Sequence, residues 1–232
     1  MIVVSGTPPQ AGTIARVLAA LRGRGHEVAI APEPSAVDRE AAVLLVTDAV
    51  AGVDDWIAYA VKRVGRILVA SRLGAHRDAR AAALLRLWRL EEAARATGLP
   101  TLTLRLGPVL GPETQLARKL VSRPALPKAG RWLLNPVWEE DVLETFDRSL
   151  KESAAWEGWC EVAGDEVWSL AELASAAVAL GAEPGGAWEP PLEEMAEHRL
   201  AEASPWLERF GLETVPLSAR LEALAATRGV GA

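Results

Sequence analysis

The chain has 232 residues, enough to bury a full core as one domain, or as one domain with a small appendage. Half of its residues are apolar, and 31 acidic against 25 basic side chains give a formal charge of −6. That balance argues against bulk attraction to nucleic acid or to an anionic membrane. No apolar stretch approaches the length needed to span a bilayer. Cys160 is the single cysteine, and His26, His76 and His198 lie far apart with no metal-ligand spacing. Neither an internal disulfide nor a metal centre is therefore expected.

The chain begins directly on a strand-like Met1-Ile2-Val3-Val4 with no basic leader, so a cytoplasmic location is the expectation. Asn135, Gln10 and Gln115 are the only side-chain amides, and lysine supplies four of the 25 basic residues. Together with 15 prolines, this composition is that of a heat-adapted protein, or of a GC-rich genome that favours Arg over Lys.

Taken in order, residues 2–5 form a short apolar run. Ile14, Val17, Leu18 and Leu21 then recur at helical spacing up to Gly23. Residues 26–31 read as a strand, 42–47 as a fully buried strand, 56–63 as a helix and 66–70 as a strand again. Residues 81–97 are rich in Ala, Leu, Arg and Glu and read as a helix stopped by Gly98 and Pro100. Residues 101–106 form another strand. Strands with continuous apolar runs, separated by helices, require a parallel sheet covered on both faces. Right-handed crossovers make that sheet a doubly wound, Rossmann-type α/β fold.

After Pro112 the texture changes. Pro124, Pro127 and Pro136 break the chain, residues 139–151 read as a helix, and 159–163 as a strand. Ser169 caps a helix running to Leu180, with Glu172 completing a capping box. Residues 181–191 read as a loop, 192–203 as a Glu-rich helix, and 217–226 as a last helix. The organisation expected is a Rossmann-type core over 1–112 and a smaller C-terminal lobe over 113–232 that also contributes late strands and helices to the core. Trp132, Trp138, Trp156, Trp159, Trp168, Trp188 and Trp206 all lie in this second half. They pack the lobe, or some of them line a pocket or a partner interface.

Several ordered pieces resemble one family. They are Val4-Ser5-Gly6-Thr7 through Gly12 after the first strand, Arg22-Gly23-Arg24-Gly25-His26-Glu27-Val28 entering the second, and the strand approach from Arg63 to Ser71. Further on come Gly98-Leu99-Pro100, Leu104 to Pro112, Asn135-Pro136-Val137 with Glu140-Asp141-Val142, and Val162-Ala163-Gly164 followed by Ser169 to Leu173. In this order and spacing the chain resembles the extended and atypical short-chain dehydrogenase/reductases, the group of nucleotide-sugar epimerases and dehydratases. The resemblance implies a bound NAD or NADP and no metal. It places cofactor contacts on Gly6, Thr7, Gln10, Ala11, Gly12, Glu33, Ser71, Gly107, Pro108 and Val109.

The chain departs from the family at its functional positions. The cofactor loop reads Gly6, Pro9, Gly12, with Pro8 before Pro9, where the family has glycines whose N–H groups approach the pyrophosphate. Two prolines remove two donors. At roughly 1.5–3 kcal/mol for each hydrogen bond to a charged group, the loss weakens binding by about a hundredfold or more. The same residues also read as a capped helix start, with Thr7 as N-cap, Pro8 first in the helix and Gln10 completing a capping box. Glu33 meets a ribose hydroxyl or simply sits in a solvated turn between Pro32 and Pro34.

The family's tyrosine, made acidic by a lysine four residues on, has Ala83 and Leu87 at the matching positions. The single tyrosine, Tyr59, lies on an earlier helix. Asp54-Asp55 and Glu139-Glu140-Asp141 read as acids meeting a helix macrodipole. Two functions remain open. One is a non-catalytic or regulatory ligand-binding protein that keeps the fold, and the other is an atypical oxidoreductase or epimerase using other residues. A small-molecule or nucleotide ligand is expected, with a homo-oligomer or a protein partner docking through the Trp-rich lobe as a further possibility.

Overall fold

The computed structural model describes residues 1–6, 12–47, 52–122, 126–151, 154–183 and 198–229. The expected alternation is present: β1 (Ile2–Ser5), α1 (Thr13–Gly23), β2 (Val28–Ala31), β3 (Ala41–Val46), α2 (Val53–Arg63), β4 (Val64–Arg72), α3 (Ala82–Ala96) and β5 (Thr101–Leu106). With β9 (Trp159–Val162), five of these strands form a six-stranded sheet in the order β2-β1-β3-β4-β5-β9. The β1–β2, β1–β3 and β3–β4 pairs are parallel. This is a Rossmann-type doubly wound sheet whose strand order reverses between β1 and β3. That reversal is the switch point where such folds place ligands, at the carboxyl ends of the strands. The β2–β3 connection carries only the short 3₁₀ turn Pro34–Ala36, so β2 remains an edge strand and Ile30 is exposed.

The chain divides into two compact units. The first comprises Met1–Arg105 with Thr145–Cys160, and the second Leu106–Glu144 with Glu161–Ala232. In the first unit the strand residues Val3, Leu44, Val46, Ile67 and Val69 pack with Trp56, Tyr59 and Ala60 of α2 and Leu84, Leu87, Leu90 and Ala94 of α3. Val4, Leu45 and Leu68, on the alternate face, are equally buried. Side chains alternate across a strand, so burial of both sets requires cover on both faces and explains the unbroken apolar runs.

The second unit contains β6 (Val109–Leu110), α4 (Gln115–Val121), β7 (Leu133–Leu134), β8 (Val137–Trp138), most of α5 (Glu139–Ser149), β10 (Trp168–Ser169), α6 (Leu170–Ala179), α7 (Ser204–Phe210) and α8 (Leu217–Gly229). Its core joins Leu116, Ala117 and Leu120 of α4 to Leu170, Leu173, Ala176 and Ala177 of α6, with Trp138 and Trp168 packed against it. Ser169 caps α6 in a full capping box with Glu172, as the Ser-x-x-Glu spacing requires. Trp206 is fully buried. The Glu-rich helix expected over 192–203 is not seen in its described part. Residues 198–203 are non-helical, with Arg199 bridged to Leu134, and the helix begins only at Ser204, where Pro205 suits the first turn. The remainder of that stretch and most of the expected 181–191 loop lie outside the described residues.

Two details tie local chemistry to stability. In the second unit, Gly107 and Gly164 sit where a β-carbon would lie 2.8 Å from the Asn135 carbonyl oxygen and 2.2 Å from that of Pro136. Only glycine permits such close backbone approach. In the first unit, Asp147 in the last turn of α5 receives His26 Nε2 at 3.0 Å and Arg24 Nη1 at 3.0 Å. Burial pushes the Asp147 carboxyl up, but the hydrogen bonds from His26 and Arg24 and the Arg24 charge outweigh it. The net result holds Asp147 below its ordinary value.

A carboxyl depressed on folding contributes stability above its unfolded pKa of about 3.9, and that contribution is lost as pH falls through the folded value. Asp147→Asn is therefore expected to lower stability at neutral pH, with the gap from the parent closing in acid. Urea unfolding across that range checks it, and a gap that does not change with pH contradicts it.

Candidate functional site at the carboxyl edge of the sheet

Because β1 to β4 run parallel, the residues that follow them share one edge of the first unit. Gly6 follows β1 with φ 77°, a left-handed backbone that glycine adopts without a Cβ penalty. Gly12 is the N-cap of α1 in ordinary extended backbone. Gly12 offers no side-chain cap and the first turn of α1 has no acidic residue, so the helix itself carries no charge that offsets its positive end. α1 begins at Thr13. Thr7, Pro8, Pro9, Gln10 and Ala11 lie outside the described residues. Glu33, just beyond β2, presents an exposed carboxylate at the turn into Pro34.

Ser71, at the end of β4, is turned the other way. Its side chain is 2% exposed, and its hydroxyl donates to Glu91 Oε1 at 2.5 Å. Glu91 lies on α3, 0% exposed. Its two oxygens also accept from Arg105 on β5: Nε at 3.1 Å to each oxygen and Nη2 at 2.6 Å to Oε2. The Arg105 guanidinium in turn stacks over the Trp159 ring, 4.9 Å from its centroid. A buried carboxylate is tolerated only when paired and hydrogen-bonded, and Glu91 meets both conditions.

Sequence reasoning missed Glu91. The available signal was a charge inside the apolar stripe of α3, between Leu84, Leu87 and Ala94, with a second charge at Arg105 among the leucines of β5. Both are anomalies in otherwise apolar patterns, and each is the other's partner.

Ala83 and Leu87, matched in sequence to the family's proton-transfer pair, both lie on α3. Leu87 is buried in the core and Ala83 is half-buried, and neither side chain titrates. Tyr59 donates its phenol to the Arg39 carbonyl at 3.2 Å and meets Trp56 edge-on. Burial pushes its phenol above the ordinary value, Arg63 opposes that shift and Glu40 adds to it, so Tyr59 is unsuited to proton transfer near neutral pH.

The remaining expected contacts lie in the second unit. There Gly107 N–H donates to the Val162 carbonyl at 2.8 Å, the Pro108 carbonyl accepts from Val137 N–H at 2.9 Å, and Val109 pairs with Val137 in the β6–β8 ladder. The acids at the start of α5 also have structural surroundings, for Asp141 accepts two bonds from Arg220 Nη2 at 2.8 and 2.9 Å. Burial pushes Asp141 above its ordinary value against the opposing charge and hydrogen bond of Arg220. Among the described residues no group of His, Cys, Asp and Glu is arranged to hold a metal ion, and no helix is long and apolar enough to cross a membrane.

The Ser71–Glu91–Arg105 link has a measurable consequence. Removing Arg105 leaves a buried carboxylate without its counter-charge, so Arg105→Ala is expected to cost about 3–5 kcal/mol. Ser71→Ala removes one hydrogen bond to a charged group and is expected to cost about 1.5–3 kcal/mol. Chemical denaturation of both variants checks the ranking, and an Arg105→Ala variant as stable as the parent contradicts the link.

No protein-family model and no curated protein sequence matches the chain. Solved structures do. MoeE5 in complex with UDP-glucuronic acid and NAD superposes with a TM-score of 0.70 at 15% identity, covering 98% of this chain and 99% of that one. TunA, an NAD-dependent NDP-hexosamine 5,6-dehydratase of tunicamycin biosynthesis, gives 0.66 at 15% identity over 95% and 96%. The UDP-glucose 4-epimerase of Thermus thermophilus, solved with NAD, gives 0.63 at 16% identity over 97% and 99%. At these identities the likeness is one of fold. The chain has a Rossmann-type fold like that of these structures.

Proposed function

We propose that the chain is a nucleotide-binding protein that keeps this fold's cofactor edge but does not carry out its redox chemistry. The observation that supports the reading is the composition of that edge. α3 carries Ala83 and Leu87 where a proton-transferring pair is needed, and the one hydroxyl at the end of β4, on Ser71, is spent on Glu91. A bound substrate meets no described side chain there that matches the family's general acid or base.

The cofactor edge fits a dinucleotide in part. Gly6 supplies the left-handed turn that brings backbone close to a phosphate, and the N-terminus of α1 behind its glycine N-cap, Gly12, supplies N–H donors and a favourable dipole. Glu33 stands where an acidic residue meets the ribose hydroxyl. Pro8 and Pro9 have no N–H to give, which weakens the cradle. A nicotinamide dinucleotide, when bound, supplies hydride acceptance and donation. The residues of this chain bind and orient it but move no proton. In place of an enzyme, the reading is a protein that senses or is regulated by a nucleotide.

Glu33 also makes a choice between dinucleotides, since its carboxylate accepts from a ribose 2′-hydroxyl and repels a 2′-phosphate. Calorimetric titration of the whole chain with NAD(H) and NADP(H) is expected to show weak NAD(H) binding, with NADP(H) weaker still. Glu33→Ala is expected to narrow that difference. Binding of either dinucleotide at micromolar affinity or tighter overturns the weakened cradle, and the absence of any binding overturns the nucleotide reading itself.

A further inference from the structure

The second unit carries an open depression of about 640 Å³ whose chemistry is unlike that of the cofactor edge. Its lining includes Glu161, Asp165, Val167, Leu200 and Glu202. Val167 and Leu200 are 54% and 50% exposed, large values for aliphatic side chains that share one concavity. The floor beneath them is held firmly. Asn135, 3% exposed, donates from Nδ2 to the Glu166 carbonyl at 3.1 Å and accepts at Oδ1 from Ala201 N–H at 3.0 Å. Arg199 N–H donates to the Leu133 carbonyl at 2.9 Å. The groove is therefore preformed, and the amide of Asn135 is committed to building it.

Charge identifies the occupant. Among the described residues no basic side chain lines the depression, and none pairs with Glu161, Asp165 or Glu202. Three carboxylates that share one depression with exposed aliphatic side chains repel one another and attract a cation. The depression is open to solvent, whereas small-molecule sites bury most of their ligand's surface. The complement is the surface of a macromolecule that offers positive charge beside an apolar side chain.

We propose that this groove docks a basic segment of a partner protein, with an aliphatic side chain seated on Val167 and Leu200. Lysine or arginine groups of that segment meet Glu161, Asp165 and Glu202. The site does not depend on the nucleotide reading, because it lies wholly within the second unit. It gives the C-terminal lobe a docking face made of carboxylates and aliphatics, and no tryptophan takes part in it.

The test uses the whole chain and a fluorescently labelled synthetic peptide of alternating lysine and leucine, read by anisotropy. Peptides alternating glutamate with leucine, and lysine with serine, serve as comparisons. The Lys/Leu peptide is expected to bind best, and to bind less as salt rises. The triple variant Glu161→Gln/Asp165→Asn/Glu202→Gln and the double variant Val167→Ser/Leu200→Ser are each expected to weaken it by about tenfold.

The variant Glu183→Gln/Glu208→Gln/Glu213→Gln makes the same change in net charge at exposed positions outside the groove, and is expected to leave binding unchanged. Equal weakening by the two triple variants reduces the attraction to bulk charge and overturns the site. Failure of the peptide to bind, or of the double variant to weaken binding, overturns it too. Sedimentation of the chain alone completes the test. Self-association lost in the groove triple variant makes a second copy the occupant and overturns the partner proposal.

Discussion

A carboxylate with no exposure at all, Glu91, sits in the middle of the first unit, and burial at that depth is tolerable only with a counter-charge and full hydrogen bonding. Arg105 supplies the charge from β5, and Ser71 supplies a hydroxyl from the end of β4. One side chain on α3 thereby ties together the helix and two neighbouring strands of the sheet. The arrangement also fixes what the carboxyl edge lacks. The Ser71 hydroxyl points toward Glu91, and the helix that holds Glu91 turns an aliphatic stripe of Leu84, Leu87, Leu90 and Ala94 into the core. Ala83 and Leu87, the positions that the sequence resemblance matches to a proton-transfer pair, lie on this same helix.

The cofactor edge has a different character. Gly6 with its positive φ, the glycine N-cap of α1 at Gly12 and the exposed Glu33 are the described features of this edge. A glycine N-cap supplies no side-chain acceptor to the first turn, and a helix N-terminus favours an anion. The proposal of a nucleotide-responsive, non-catalytic protein rests on these features together with Ala83 and Leu87 on α3. The second unit carries, independently, the acidic and aliphatic groove proposed as a docking face.

Much of the fold was legible in the sequence. β5 has the bounds expected from its apolar run, and α3 differs only at its ends, because periodicity and the Gly98/Pro100 stop leave little freedom. The capping box at Ser169 and Glu172 was readable for the same reason. The short strands β6, β7, β8 and β10 were not, since two residues carry no periodicity and are defined by their ladder partners. α7, of seven residues, was not expected, and Pro205 falls in its first turn, where proline is tolerated. At the candidate site, Gly6, Gly12 and Glu33 could be found by spacing from the first strand. Glu91 could not, because its role depends on Arg105, fourteen residues away, and on the fold that brings them together. The groove at Glu161, Asp165 and Glu202 was equally hidden, for its members come from two distant segments joined through Asn135.

The central claim is that this edge binds a nucleotide without moving a proton or a hydride. It is tested most directly by mixing the whole chain, at high protein concentration, with NAD and with UDP-glucose or UDP-glucuronic acid, and following the absorbance of reduced nicotinamide through a single turnover. The account predicts no reduced nicotinamide and unchanged sugar nucleotide at the end of the incubation. A first-order rise in reduced nicotinamide that requires both NAD and the sugar nucleotide contradicts it.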